Sequence, residues 1–153
     1  MPVAPAIPLS KTLVGTWELL TREDYTPNGE RRIDPSLGAD PIALLIYDRA
    51  GNFAAQFMKR DRRPVAAGSN AAISAPNNSR AQGGYDAYFG TYVVDDSKGS
   101  VTQRLTGALS QENVGLVLTR VMEVAGDELT IRLETTTADG EPITRTLRWR
   151  RVG

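Results

Sequence analysis

Five glycine-bearing turns cut this sequence into short runs rich in β-branched and aromatic residues: Asn28-Gly29, Ala50-Gly51, Lys98-Gly99, Gly126-Asp127 and Asp139-Gly140. Each supplies a residue that tolerates positive φ where the chain must reverse. The runs between them predict strands near 13–25, 42–48, 52–59, 87–95, 100–109, 114–125, 128–136 and 141–151. Strands joined mostly by tight hairpins form an antiparallel meander, and a meander this long avoids exposed edges by closing on itself. The expected fold is therefore all-β, a single antiparallel up-and-down barrel of about eight strands. Residues 12–153 form that barrel, and the proline-rich residues 1–11 read as an extended, irregular arm. No segment of helical period reaches a convincing length, and no internal repeat is present.

One stretch breaks the rhythm. Residues 60–84 are rich in Ala, Asn, Ser, Gly and Arg, too long for an ordinary connection within a compact domain. They read either as a lid over a cavity mouth or as a floppy loop, with a short helical turn expected around Asn70–Ile73.

Composition narrows the chemistry. The chain of 153 residues contains no cysteine and no histidine. That excludes disulfides, thiolate nucleophiles, zinc–thiolate and iron–sulfur sites, Ser-His-Asp triads, and His-ligated zinc or haem. No metal or other cofactor is expected, and any chemistry falls to Asp, Glu, Tyr, Lys, Arg or a hydroxyl. Basic and acidic side chains balance at 18 each, so no global field favours nucleic acid or an anionic membrane. Two basic runs, Lys59–Arg63 and Arg145–Arg151, read as solvated strand ends and loop. The N-terminal segment lacks a basic region and its apolar residues are broken by prolines, which reads as no signal peptide and a cytoplasmic location. The oligomeric state is left open.

The strand from Val101 to Leu109 alternates cleanly, with Val101, Gln103, Leu105, Gly107 and Leu109 on one face. That face should point inward, which makes Gln103 a polar residue on an apolar side. Turn lengths then assign partners: a four-residue loop 96–99 sets Tyr92 opposite Gln103, and a four-residue loop 110–113 sets Arg120 there as well. The turn at Gly126-Asp127 sets Leu133 opposite Arg120, and a loop 138–140 sets Arg145 opposite Leu133. The outcome is an inward row of Tyr92, Gln103, Arg120, Leu133 and Arg145. Closure by the first strand brings Trp17 towards Trp149, and Thr21 and Glu23 towards Arg145. Two inward arginines demand partners, because an unpaired buried guanidinium costs several kcal/mol. Either Glu23, Tyr92 and Gln103 satisfy them, or they hold an oxygen-rich ligand. The tyrosines at 25, 47, 85, 88 and 92 are further candidate donors or acids.

The opening strand carries Gly15-Thr16-Trp17, a Gly-x-Trp pattern that resembles the lipocalin and calycin signature. Together with the hairpin LLIYDRAGNFAAQFM at 44–58 and the run Ala87–Tyr92, the chain resembles the small bacterial and fungal lipocalin-like domain family over roughly residues 12–151. That resemblance implies a barrel with an interior ligand cavity, in which Trp17 plugs one end and a cation, from Arg148 or Arg150, packs across it. Some lipocalin-like barrels act in biosynthetic pathways as cofactor-free cyclases or isomerases. The expected function is thus binding of a small hydrophobic molecule with a polar or anionic group. Trp17, Leu105, Leu118, Ile131 and Leu147 would line its apolar part, while Tyr92, Gln103, Arg120 and Arg145 would orient its polar end. The alternative is a cofactor-independent isomerase or cyclase in the same cavity, with Arg120 and Tyr92 stabilising enolate charge and Glu23 moving a proton.

Overall fold

The computed structural model describes residues 7–61 and 83–153. The barrel is built from β1 (Gly15–Tyr25), β3 (Ile42–Tyr47), β4 (Asn52–Met58), β5 (Tyr85–Asp95), β6 (Ser100–Ala108), β7 (Val117–Ala125), β8 (Glu128–Thr136) and β9 (Pro142–Arg151). A two-residue strand β2 (Arg31–Arg32) adds to the end of β1. Strands pair antiparallel in chain order from β3 to β9, and β1 pairs with both β3 and β9, so the sheet closes as an eight-stranded meander. This is the all-β architecture expected from the turn spacing. The long-loop expectations, lid and helical turn alike, lie almost wholly outside the described residues.

Alternation fills the interior. Trp17, Leu45, Phe53, Val101, Leu105, Leu129 and Trp149 are all buried, and on each strand the residues between them face out. Gly90 shows how tightly the wall is drawn: an added Cβ there would sit 1.8 Å from the Arg104 carbonyl oxygen. The arm is not extended to its end, because Leu9–Thr12 forms a helical turn, α1. Ser10 fixes it through hydrogen bonds from its backbone N–H and its hydroxyl to the Asp96 carboxylate, at 2.8 and 2.7 Å.

Three expected pairings recur. Tyr92 lies opposite Gln103, Leu133 lies opposite Arg145, and the turn at Gly126-Asp127 joins Ala125 to Glu128. Two others differ. Gln103 pairs with Leu118, and Arg120 pairs with Val101 instead. The β6–β7 ladder ends at Leu105 and Leu116, so residues 106–115 leave it as a longer connection containing a 3-10 turn at Gln111–Asn113. A slip of two residues preserves the inward face, so the same side chains still enter the barrel.

The second difference changes a face. Leu19 pairs with Trp149, but Thr21 pairs with Arg148, leaving Leu20 as an extra residue in β1. A bulge of one residue inverts the alternation beyond it. Arg22 and Asp24 therefore point inward and are buried, whereas Thr21 and Glu23 belong to the outer face. Glu23 is thus no interior base; its carboxylate accepts a hydrogen bond from the exposed Tyr25 hydroxyl at 2.7 Å.

Candidate functional site

The two ends of the barrel differ in how they are sealed. At one end the hairpins are short, at 48–51, 96–99 and 126–127, and α1 lies beneath them. Trp17 fills this end, its indole N–H donating to the Leu13 carbonyl at 3.0 Å. The Arg151 guanidinium stacks over its ring at 4.3 Å and donates to the Val14 and Thr12 carbonyls. The cation is Arg151, and neither Arg148 nor Arg150: Trp149 points inward, and of these three arginines Arg151, two residues further along β9, shares its face. Arg148 and Arg150 lie outside, facing Glu128 and Glu18. Gly15 is required here, since a Cβ would meet Arg151 Nη1 at 2.5 Å and the Gly153 carbonyl at 2.8 Å.

Towards the other end, where β4 ends, β5 begins and the connections 26–41, 106–115 and 137–141 emerge, the interior holds a cavity of about 60 Å³. That is several times the roughly 10–15 Å³ a single water needs. Its apolar wall includes Leu45, Phe57, Met122, Ile131 and Leu147, and its polar lining includes Arg22, Tyr47, Asp86, Gln103, Arg120 and Arg145.

Two of these arginines are tied into a buried ion network. Arg145 makes a bidentate pair with Asp24, Nε to Oδ1 at 2.8 Å and Nη2 to Oδ2 at 3.0 Å. Arg22 donates to Asp34 Oδ2 at 3.2 Å, and Arg145 Nη2 lies 3.9 Å from the same oxygen. Burial alone would raise the Asp34 carboxyl; the Ser36 hydroxyl and backbone N–H and the neighbouring arginines outweigh it and hold its pKa below the ordinary value.

Arg120 is placed differently. Among the described residues it forms no ion pair, and its guanidinium reaches only the neighbouring Thr119 carbonyl, at 3.4 Å. Burial pulls its pKa down, opposed by the nearby Tyr88 and Tyr47 phenols. Beside it, the Tyr47 hydroxyl donates to Gln103 Oε1 at 2.7 Å, and burial raises the Tyr47 pKa well above its usual value. Trp149 also lines the cavity, and its buried indole N–H has no acceptor among the described residues.

Asp86 is the second departure from the network. It is 3% exposed, and its one side-chain hydrogen bond among the described residues is from the Ala87 N–H to Oδ1, at 3.0 Å. It forms no ion pair among the described residues. Desolvation raises its pKa to about 7, against the opposing pull of the Ala87 N–H and the Arg22 charge.

Of the residues expected from the sequence, Gln103, Arg120, Ile131, Arg145 and Leu147 line this cavity. Leu105 and Leu118 are buried in the core away from its walls, and Trp17 belongs to the sealed end. Tyr92 stands edge-on to Tyr47 with ring centroids 4.8 Å apart, and its hydroxyl donates to the Asp48 carbonyl at 2.5 Å, also near the sealed end. Sequence reasoning missed Arg22 and Asp86. Counting back by twos from Tyr92 through Gly90 and Tyr88 reaches Asp86, so that signal was present; the bulge that turns Arg22 inward left none. No group of His, Cys, Asp and Glu among the described residues is arranged to hold a metal ion. Nor is any described helix long and apolar enough to cross a membrane.

The closed eight-stranded meander, with Trp17 filling one end under the stacked Arg151, is an all-β barrel. The lipocalin-like domain family matches residues 14–152. The chain belongs to that family. No curated protein matches the sequence, so no relative lends a ligand or a reaction. Lipocalin-like barrels in general bind small hydrophobic ligands.

Proposed function

We propose that this lipocalin-like protein binds a small, mainly apolar molecule in its barrel, with an anionic or enol oxygen held against Arg120. The observation that carries this reading is Arg120 itself. A partly desolvated guanidinium on a cavity wall, without a carboxylate partner among the described residues, is costly to the fold alone. A ligand oxygen would offset that cost through charge-assisted hydrogen bonds. Arg145, by contrast, is satisfied by Asp24 and acts as part of the wall. The Trp149 N–H, which has no acceptor among the described residues, offers a second donor, while Ile131, Leu147 and Met122 take the apolar part.

Benzoate and benzyl alcohol test this reading as a charged and a neutral probe of one shape. Binding is read by intrinsic fluorescence, since Trp149 lines the cavity. Arg120→Met should weaken benzoate at least tenfold, about 1.4 kcal/mol, and leave benzyl alcohol within twofold. Equal benzoate affinity in the variant and the parent would remove Arg120 as the anchor.

A second reading, a cofactor-independent isomerase or cyclase in the same cavity, is favoured by the carboxyl of Asp86, which keeps its proton up to about pH 7. Groups poised near the working pH are suited to general acid–base work.

A further inference from the structure

We propose that Asp86 exchanges protons with the bound molecule, and that the cavity takes ketones bearing an acidic C–H beside a carbonyl oxygen held by Arg120. This rests on the interior ligand site proposed above and names its substrate class. The geometric basis is that one cavity is lined by a buried carboxyl and by a guanidinium that pairs with no carboxylate among the described residues. Asp86 Oδ1 accepts the Ala87 N–H, and Oδ2 accepts no hydrogen bond from the described residues, so a lone pair remains for a substrate proton. Asp86 pairs in register with Phe57, whose ring contributes an apolar wall rather than a competing donor.

The step balances without a co-reactant. Ionised Asp86 takes the proton from the carbon next to the carbonyl. The C–H electron pair becomes a C=C bond, and the carbonyl π pair moves onto oxygen, where the Arg120 guanidinium meets the enolate charge. Returning the proton to the same carbon restores the ketone. Returning it to the far carbon of a conjugated enolate shifts a double bond. Nothing is oxidised or reduced. Glu23, on the outer face, has no part in this.

The charges that face Asp86 come from several elements. Arg22 on β1 favours its ionised form, and Asp34, from the loop after β2, disfavours it. Tyr88 on its own strand, Tyr47 on β3, Arg120 on β7 and Arg145 on β9 share the cavity. Phe57 on β4 brings no charge. Desolvation leads, so the base form accumulates only above about pH 7.

Acetophenone in D2O is the probe, its methyl hydrogens followed by NMR as they exchange for deuterium. The protein should accelerate exchange saturably, with a rate that rises through about pH 7 and levels above it. Asp86→Asn should lose at least tenfold in exchange rate while binding benzoate no more weakly than the parent, since a like charge is removed from the cavity, and Asp86→Ser provides a second variant should the first fold poorly. Arg120→Met should lose both exchange and benzoate binding. A carbon-13 titration of the Asp86 carboxyl reads its ionisation directly. Acetophenone that binds without exchanging, exchange that survives in both Asp86 variants, or an Asp86 titration in the ordinary carboxylate range would each overturn the proposal while leaving the ligand site standing. Benzoate binding without acetophenone binding would overturn the substrate class. Failure of the parent protein to bind either probe would bring down the ligand site as well.

Discussion

The sealed end and the open end of this barrel solve the same problem, an arginine inside a β-barrel, in opposite ways. At the sealed end Arg151 stacks on Trp17 and donates to the Thr12 and Val14 carbonyls. Its charge is spread over a ring face and backbone oxygens, with only the exposed Asp127 carboxylate nearby, 3.8 Å from Nε among the described residues. At the open end the arginines meet carboxylates, and the matching is incomplete: Arg145 and Arg22 pair with Asp24 and Asp34, while Arg120 pairs with no carboxylate among the described residues. The stack at the sealed end is a structural plug. The open end couples a structural network to groups whose demands the described fold does not meet, and such unmet demands collect at ligand sites.

If that division holds, the largest stability loss should come from the sealed end. Trp17→Ala removes a fully buried ring and the platform for Arg151. It should cost about 3–5 kcal/mol in urea unfolding, yet leave the benzoate affinity of the folded fraction unchanged. A large loss of affinity would show that the two ends are not independent. Asp24→Asn should cost somewhat less, about 3 kcal/mol. Breaking a buried pair leaves Arg145 uncompensated, although Asp34 Oδ2 at 3.9 Å keeps one carboxylate near. A loss below about 1 kcal/mol would mean that Arg145 finds another partner at little cost.

The comparison also separates what the sequence discloses from what it hides. Short hairpins have fixed loop lengths, so Tyr92–Gln103, set by the 96–99 turn at the sealed end, and Leu133–Arg145, set by the 137–141 loop at the other end, both follow from counting. Alternation was equally readable from Tyr92 back to Asp86, and from Trp149 on to Arg151, wherever the count was carried far enough. The β1 bulge and the longer connections obey no such count. Nothing in Glu18-Leu19-Leu20-Thr21 announces that Leu20 will bulge, because both leucines suit a strand and the extra residue is set by the fit of β1 against β9. That single residue exchanges Glu23 for Arg22 and Asp24 in the interior. Asp34 lies in a connection without periodicity, so its place between two arginines comes from tertiary packing alone. The 106–115 connection departs from the ladder three residues before the strand's alternation ends, which moved Arg120 from Gln103 to Val101 without changing its face.

The smallest effect is the one that depends on pH. Asp86 titrates at about 7 in the folded barrel and near 4 in an unfolded chain. The folded state therefore holds this proton more tightly, so the stability the proton confers is fully present below about pH 4 and is lost as pH rises through about 7. Each pH unit between the two values is worth about 1.4 kcal/mol, which sets a ceiling of about 4 kcal/mol; local relaxation of the cavity should reduce it to about 2. Asp34, held below the ordinary carboxylate range, has the opposite sign and loses stability only on acidification. The two are separated by a difference curve. Asp86→Asn lacks the neutral-range slope, so its stability relative to the parent should increase by about 2 kcal/mol between pH 5 and pH 8, measured by urea unfolding at each pH. A flat difference over that range would mean that Asp86 ionises without penalty, and the open end would then hold an ordinary carboxylate in place of a poised one.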